Sequence, residues 1–175
     1  MTHFKTTLLA LTLTLFPHAS ALCETADAAT LKQEATAFFH TYLGTYNKRL
    51  AEPESEQAFL DELRSLINTP FIMAPPSANA PFYPESEEMF ARGFGGFVKQ
   101  LERKGAVRME WQEINVEVLT PNKVLANNIG HAFNASGDVV YETISLYLLH
   151  RSDSGWKIAV FSPYDVANKL VFKKG

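Results

Sequence analysis

The chain has a single cysteine, Cys23, in 175 residues, so no disulfide can form within it and the folded domain must be held by packing alone. Basic clusters are also missing. Nothing exceeds the Lys173-Lys174 pair near the C-terminus, and with a formal net charge of -3 and a pI near 5.9 there is no electrostatic footprint for nucleic acid. The apolar run from Leu8 to Phe16 is too short to span a bilayer, so no membrane span is expected. The histidines at positions 3, 18, 40, 131 and 150 show no ligand spacing and have no second cysteine to join them, so neither a metal nor another cofactor is expected. A serine-nucleophile elbow is absent too, as are internal repeats and low-complexity tracts.

What is present begins with a processing signal. Lys5 precedes the apolar run, and Ala19-Ser20-Ala21 supplies the small-x-small pattern read by signal peptidase. Cleavage is expected after Ala21, which makes the protein exported, periplasmic or secreted. Leu22 stands where a lipoprotein signal would place a small residue, which argues against lipidation of Cys23. The rest of the chain is long enough for one domain with a real core: a flexible leader over 22–29, a domain over 30–165 and a tail over 166–175.

Helical periodicity dominates the first half of that domain. Thr30 and Gln33 form a capping box, followed by Leu31, Ala35, Phe38, Phe39, Tyr42, Leu43 and Tyr46 at helical spacing. Tyr42 and Tyr46 bring hydroxyls to the apolar side, where each needs a partner. A second helix is expected from about Ser55 to Asn68 and a third from about Ser86 to Lys104, with Gly105 placed to stop it. Gly93-Phe94-Gly95-Gly96 lies within the third pattern, with no strand before it and no Lys-Ser or Lys-Thr after it. It is therefore not a phosphate loop, and close helix-to-sheet packing accounts for it. Between the second and third helices, Thr69–Pro84 holds Pro70, Pro75, Pro76, Pro81 and Pro84 and is expected to be irregular. Its apolar Phe71, Met73, Phe82 and Tyr83 make it a lid candidate.

From Glu110 to Asp165 the pattern changes to consecutive antiparallel strands, with turn signals at Pro121-Asn122, Ser136-Gly137 and Ser152–Gly155. The fold class is α+β: three N-terminal helices packed on a curved, mainly antiparallel sheet of four to six strands. If the Ser136-Gly137 turn is a two-residue hairpin, His131 pairs with Glu142 and Asn127 with Leu146. Similar counting across Pro121-Asn122 places Ile114 beside Ile129. One face then carries Ile114, Val116, Val118, Asn127, Ile129, His131, Glu142, Leu146 and Phe161. The other carries Trp111, Glu113, Ala126, Asn128, Gly130, Tyr141, Ser145, Tyr147, Ile158 and Ser162.

Three helices followed by a meander ending in Ser154-Gly155-Trp156-Lys157-Ile158 resemble the nuclear transport factor 2-like superfamily, in particular its SnoaL-like branch. The first-helix aromatic stripe, Gly93, the Ala126 strand, the Gly137 hairpin and the Leu146–Arg151 strand carry the likeness, over roughly Thr30 to Asp165. The resemblance implies a curved sheet wrapped around a helix, a cone-shaped pocket and frequent dimerisation through the sheet. It also implies that the Tyr147 face lines the cavity, since in ketosteroid-isomerase-like relatives the positions matching Ile158 and Tyr147 do so.

Two arrangements follow. Hydrophobicity alone would turn the first face inward and make His131 and Glu142 an acid/base dyad in an apolar setting. The resemblance turns the second face inward, with Tyr46, Trp111, Asn128, Tyr141, Ser145, Tyr147 and Ser162 as ligand contacts. The first face then becomes a homodimer seam through Ile114, Ile129, Leu146 and Phe161. The second arrangement is preferred because it explains why both faces are too apolar to be wet. Three functions remain. The leading one is an exported protein that binds a small apolar or aromatic molecule. The others are an acid/base enzyme using Tyr147 or the His131–Glu142 pair, and a dimeric interaction module whose pocket is filled by its own Phe and Tyr side chains. No carboxylate base is identifiable in the helical half, which leaves the enzyme reading without its base.

Overall fold

The computed structural model of the chain describes residues 27–76, 79–168 and 170. The expected signal peptide with Cys23, and residues 169 and 171–175 of the tail, lie outside the described residues.

The first helix, α1, spans Ala28–Ala51. It begins before the capping box because Asp27, not Thr30, is the cap: its carboxylate accepts from the Thr30 N–H at 2.7 Å. A carboxylate at this end also suits the helix dipole, and so the last residues of the expected leader are helical. The second helix, α2, spans Glu56–Ser65. The third, α3, spans Glu87–Arg103, capped by the Ser86 hydroxyl accepting from Met89 N–H at 3.2 Å. It stops where Gly105 adopts φ +79°, a left-handed conformation that favours glycine.

Five strands form one sheet in the order β1-β5-β4-β3-β2, with β1 Ile67–Met73, β2 Arg108–Thr120, β3 Lys123–Phe133, β4 Val139–Ser152 and β5 Gly155–Tyr164. The pairs β2–β3, β3–β4 and β4–β5 are antiparallel, and β1 runs parallel to β5. Strand β1 corrects the expectation of an irregular segment from Thr69. Pro70 lies inside it, tolerated because β1 is a sheet edge and its pairing with β5 breaks register between Ile67 and Ile72.

The pairings His131 with Glu142 and Asn127 with Leu146 form as expected, but not through a two-residue turn: Asn134 N–H donates to the Asp138 carbonyl at 3.0 Å, Phe133 pairs with Val139, and a bulge between Ala132 and Phe133 restores the register. Bulges change the faces elsewhere. The extra residue between Val118 and Thr120 puts Ile114 opposite Asn128 rather than Ile129, and a further one between Trp111 and Glu113 returns Trp111 to its expected face. Ile114, Val116 and Val118 therefore turn toward the helices. Another bulge, between Leu148 and Leu149, sets Phe161 opposite Tyr147 and Ser162 opposite Leu146. Phe161 thus faces inward and Ser162 outward, the reverse of the two-face reading. A bulge adds one residue to one strand, so every side chain beyond it exchanges faces.

The core lies between α1 and the inward face. Phe39, fully buried, sits edge-on to Trp111 at 6.2 Å and to Tyr147 at 5.0 Å between ring centroids. Leu63, Leu101, Leu149 and Ile158 are buried around it, each such side chain contributing about 1.5–3 kcal/mol. Two polar clamps orient α1. Buried Arg49 meets Glu102 of α3 at 2.6 Å. Asn47 donates to the Met109 carbonyl at 3.0 Å and accepts from the Met109 N–H at 2.7 Å, satisfying the otherwise open edge of β2.

Candidate functional site

A cavity of about 190 Å³ lies where α1, α3 and the inward sheet face diverge. Each element reaches it through its own periodicity. From α1 come Tyr42, Leu43 and Tyr46, with the two tyrosines one turn apart on the same side. From β4 come Tyr141, Thr143, Ser145 and Tyr147, alternate residues of one strand. Met109 and Trp111 of β2, Phe161 and Pro163 of β5, Met73 of β1, and Gly93, Phe94 and Phe97 of α3 complete the wall.

The polar part of the lining is a set of linked hydroxyls. The Tyr42 and Tyr46 hydroxyls lie 3.1 Å apart, and the Tyr147 ring stands edge-on to that of Tyr42, 5.9 Å between centroids. The Thr143 and Ser145 hydroxyls stand 3.5 Å apart. The Trp111 indole N–H is already used, donating to the Phe39 carbonyl at 2.9 Å. Burial pushes all three phenols well above their ordinary range, because a phenolate would be stripped of water; Tyr42 and Tyr147 are raised further by each other's charge or by that of Tyr46. The three hydroxyls are therefore neutral donors and acceptors at physiological pH. Among the described residues no Asp, Glu, His, Lys, Arg or Cys lines this cavity.

Of the expected ligand contacts, Tyr46, Trp111, Tyr141, Ser145 and Tyr147 come together on this wall. Asn128 faces the same way beside Ser145, fully buried with neither amide atom partnered, but it is not part of the lining. Ser162 points outward, its hydroxyl donating to the Ala74 carbonyl at 3.1 Å, which removes it from the site. His131 and Glu142 do meet, at 2.7 Å. They do so on the outward face, away from the cavity, so the pair cannot act on anything held there.

The lid candidates divide. Phe71 is a buried β1 core residue packed on Phe94, and Met73 is part of the cavity wall. Phe82 bridges back to Met73 as a short antiparallel contact at the surface, and Tyr83 is exposed. The seam residues divide as well. Ile129 and Leu146 are on the outward face, while Ile114 and Phe161 face the helices. Sequence reasoning missed Phe161 and Pro163 because the bulge in β5 has no signature beyond its effect on register. It also missed Tyr42 as a lining residue, although the i, i+4 tyrosine pair was visible.

Gly130 leaves no room for a ligand: a Cβ there would lie 3.0 Å from the Trp111 ring, so the indole occupies that space. The α3 glycines are not explained by helix-to-sheet packing either. A Cβ on Gly95 would meet the Glu56 carboxylate of α2 at 3.1 Å, whereas one on Gly93 would meet only the Met73 side chain, at 4.0 Å. A second, larger hollow of about 380 Å³ runs past Arg64, Pro70, Tyr83 and Phe90. It is a shallow surface groove, and Arg64 within it is already engaged by Asp61 at 3.1 Å and lies over the Phe90 ring. The smaller cavity, the less open of the two and with convergent hydroxyls, is the better candidate site. Among the described residues no group of His, Cys, Asp and Glu is placed to hold a metal ion, and no described helix is long and apolar enough to cross a membrane.

A family model described as NTF2-like protein (DUF6841) matches residues 33–166. Among solved structures, a protein of unknown function with a cystatin-like fold from Nostoc punctiforme PCC 73102 is similar, with a TM-score of 0.55 and 7% identity over 77% of this chain and 90% of that one. A candidate dehydratase from the NTF2-like family of Streptomyces avermitilis gives a TM-score of 0.53 and 12% identity over 77% of this chain and 95% of that one. A candidate calcium/calmodulin-dependent protein kinase II association domain from Xanthomonas campestris gives 0.52 and 14% over 78% and 89%. At these identities the likeness is of fold alone. No curated protein matches the chain by sequence.

Proposed function

The chain belongs to the NTF2-like family DUF6841, and from that premise we propose that it is a binding protein holding a small, neutral, aromatic or apolar molecule in the cavity beneath α1. The observation that carries this reading is the lining: aromatic and aliphatic walls, clustered hydroxyls and, among the described residues, no ionisable group other than phenols held protonated by burial. An ionised ligand would lose its hydration there with no counter-charge to replace it. Size narrows the class further. A dry cavity of about 150 Å³ accepts benzene, and drug-sized ligands need about 300–1,000 Å³, so 190 Å³ fits one substituted ring with a single hydroxyl or carbonyl for the tyrosines.

The acid/base enzyme reading has a donor in Tyr147 but no base among the lining residues. The interaction-module reading requires the pocket to be filled by the chain's own aromatics, and space remains after they have packed. Export, proposed from the Lys5–Ala21 signal, predicts a mature chain beginning at Leu22, which intact-mass measurement of the natively expressed protein would check.

Titration with 4-ethylphenol, ethylbenzene and 4-ethylbenzoate, followed by NMR of the Trp111 indole, tests the binding reading. The two neutral rings should bind and the carboxylate should bind at least about ten-fold more weakly, given the cost of burying an unpaired charge. Equal affinity for 4-ethylbenzoate, or no response to any of the three, would refute it.

A further inference from the structure

Among the described residues, Asn128 alone has buried side-chain polar atoms without a hydrogen-bond partner, and both its Oδ1 and its Nδ2 are in that state. The side chain has no exposed surface. A buried amide ordinarily makes such bonds, and leaving both atoms unpaired is costly. A rule broken beside a cavity, in a core that otherwise keeps it, marks a place where function rather than stability fixed the residue.

The register shows from which side a partner can come. On the same sheet face, the neighbour across β2 is Ile114, and the neighbours along β3 are Ala126 and Gly130; none has a polar side-chain atom. Across β4, Ser145 stands directly opposite, with Thr143 and Tyr147 on the diagonals. These three hydroxyl residues are successive cavity-lining positions of β4. Asn128 therefore stands one side chain behind the wall, and the polar side chains beside it on that face all belong to the wall. Ser145 is the thin point. Its hydroxyl lies 3.5 Å from that of Thr143, a long contact for two hydroxyls, and a serine side chain turns aside about a single torsion.

We propose that Asn128 is a concealed specificity residue of the cavity, and that the ring held there carries a carboxamide or lactam edge; this rests on the binding reading above. As the ligand enters, Ser145 rotates and the two amides pair, with the Asn128 Nδ2 donating to the ligand carbonyl and the ligand N–H donating to Oδ1. Only a group that offers a donor and an acceptor side by side matches an asparagine amide on both atoms. A ketone would satisfy Nδ2 and leave Oδ1 unpaired. An amide is also neutral, as a lining without counter-charge requires. The cavity of about 190 Å³ exceeds the roughly 150 Å³ that accepts benzene, which leaves room for the added group.

Benzamide and acetophenone share one shape and differ by an NH2 against a CH3, so the order of their affinities reads the partner directly. Against a wholly apolar wall acetophenone binds tighter, because an amide donor stripped of water without a partner is penalised. With Asn128 as the partner, NMR titration of the full chain should give the reverse order, benzamide being tighter by about ten-fold. The Asn128 side-chain NH2 resonances should shift with benzamide and not with ethylbenzene. Asn128→Leu, close to asparagine in shape, should restore the apolar order and raise Tm by removing the unpaired amide. Acetophenone preferred by the unaltered chain, or a benzamide preference that survives Asn128→Leu, would overturn the inference and leave the binding reading standing as long as ethylbenzene binds. Failure of all three rings to bind would remove both. If Asn128→Leu does not fold, the NH2 resonances of the unaltered chain decide: no shift with bound benzamide sinks the proposal.

Discussion

Replacing Gly93 by leucine should make the protein more stable and less able to bind. Gly93 lies inside α3, has no positive φ, is exposed to solvent and also lines the cavity. A Cβ there meets only the flexible Met73 side chain, at 4.0 Å, an ordinary contact. The backbone therefore does not need glycine, and the helix gives up close to 1 kcal/mol by having it there. For a domain of this size a gain of about 1 kcal/mol raises Tm by roughly 2–4 °C. The added isobutyl group, however, projects toward Met73 across the cavity, into space a ring would occupy. Gly93→Leu should then bind 4-ethylphenol at least about ten-fold more weakly, a stability gain at the expense of function. Gly96→Leu is the control: its Cβ meets nothing within 4 Å and it does not line the cavity, so it should gain similar stability and keep its affinity. The measurements are thermal melting by circular dichroism and the indole NMR titration. A fall in Tm would refute the reasoning about α3, and unchanged affinity would show that Gly93 does not border the binding space.

Tyr147→Phe should preserve the cavity and ethylbenzene binding while weakening 4-ethylphenol by about five- to ten-fold, the worth of one hydrogen bond; equal loss for both probes would mean that the packing had collapsed. Stability should fall as pH rises above about 10: burial raises the folded pKa values of Tyr42, Tyr46 and Tyr147 above the ordinary phenol range near 10, so their contribution is complete below that range and is lost above it as the unfolded chain ionises first. Urea midpoints across the alkaline range, with phenolate absorbance recorded alongside, would show it, and a flat profile would contradict the burial of the three hydroxyls. Asn47→Ala should cost about 2 kcal/mol by leaving the Met109 N–H and carbonyl without their partner; a loss below about 0.5 kcal/mol in urea unfolding would show that water replaces the clamp on this edge.

The architecture was legible because its signals are local. Helical periodicity, glycines at Gly105 and Gly137 with positive φ, and alternation along β3 and β4 need no knowledge of distant residues. Counting from a two-residue turn pairs His131 with Glu142 and Asn127 with Leu146, and the pairing holds because the bulge between Ala132 and Phe133 offsets the longer turn that forms. Strand β1 was hidden because Pro70 reads as a breaker, and an edge strand is the one place in a sheet where a proline is tolerated.

What the sequence alone determined is therefore the order of the elements, the family resemblance and the aromatic character of the interior. Tertiary structure alone decided which side chains share the cavity. The bulges between Val118 and Thr120 and between Leu148 and Leu149 exchange faces for Ile114, Phe161 and Ser162, and no local propensity records where an extra residue is accommodated. It likewise decided that Tyr147 packs against Phe39 and Tyr42 of α1 and that Asn127 finds its hydrogen-bond partners at Tyr164 and Leu170. The partners in each case come from segments far apart in sequence, and a buried polar group only specifies that a partner must exist.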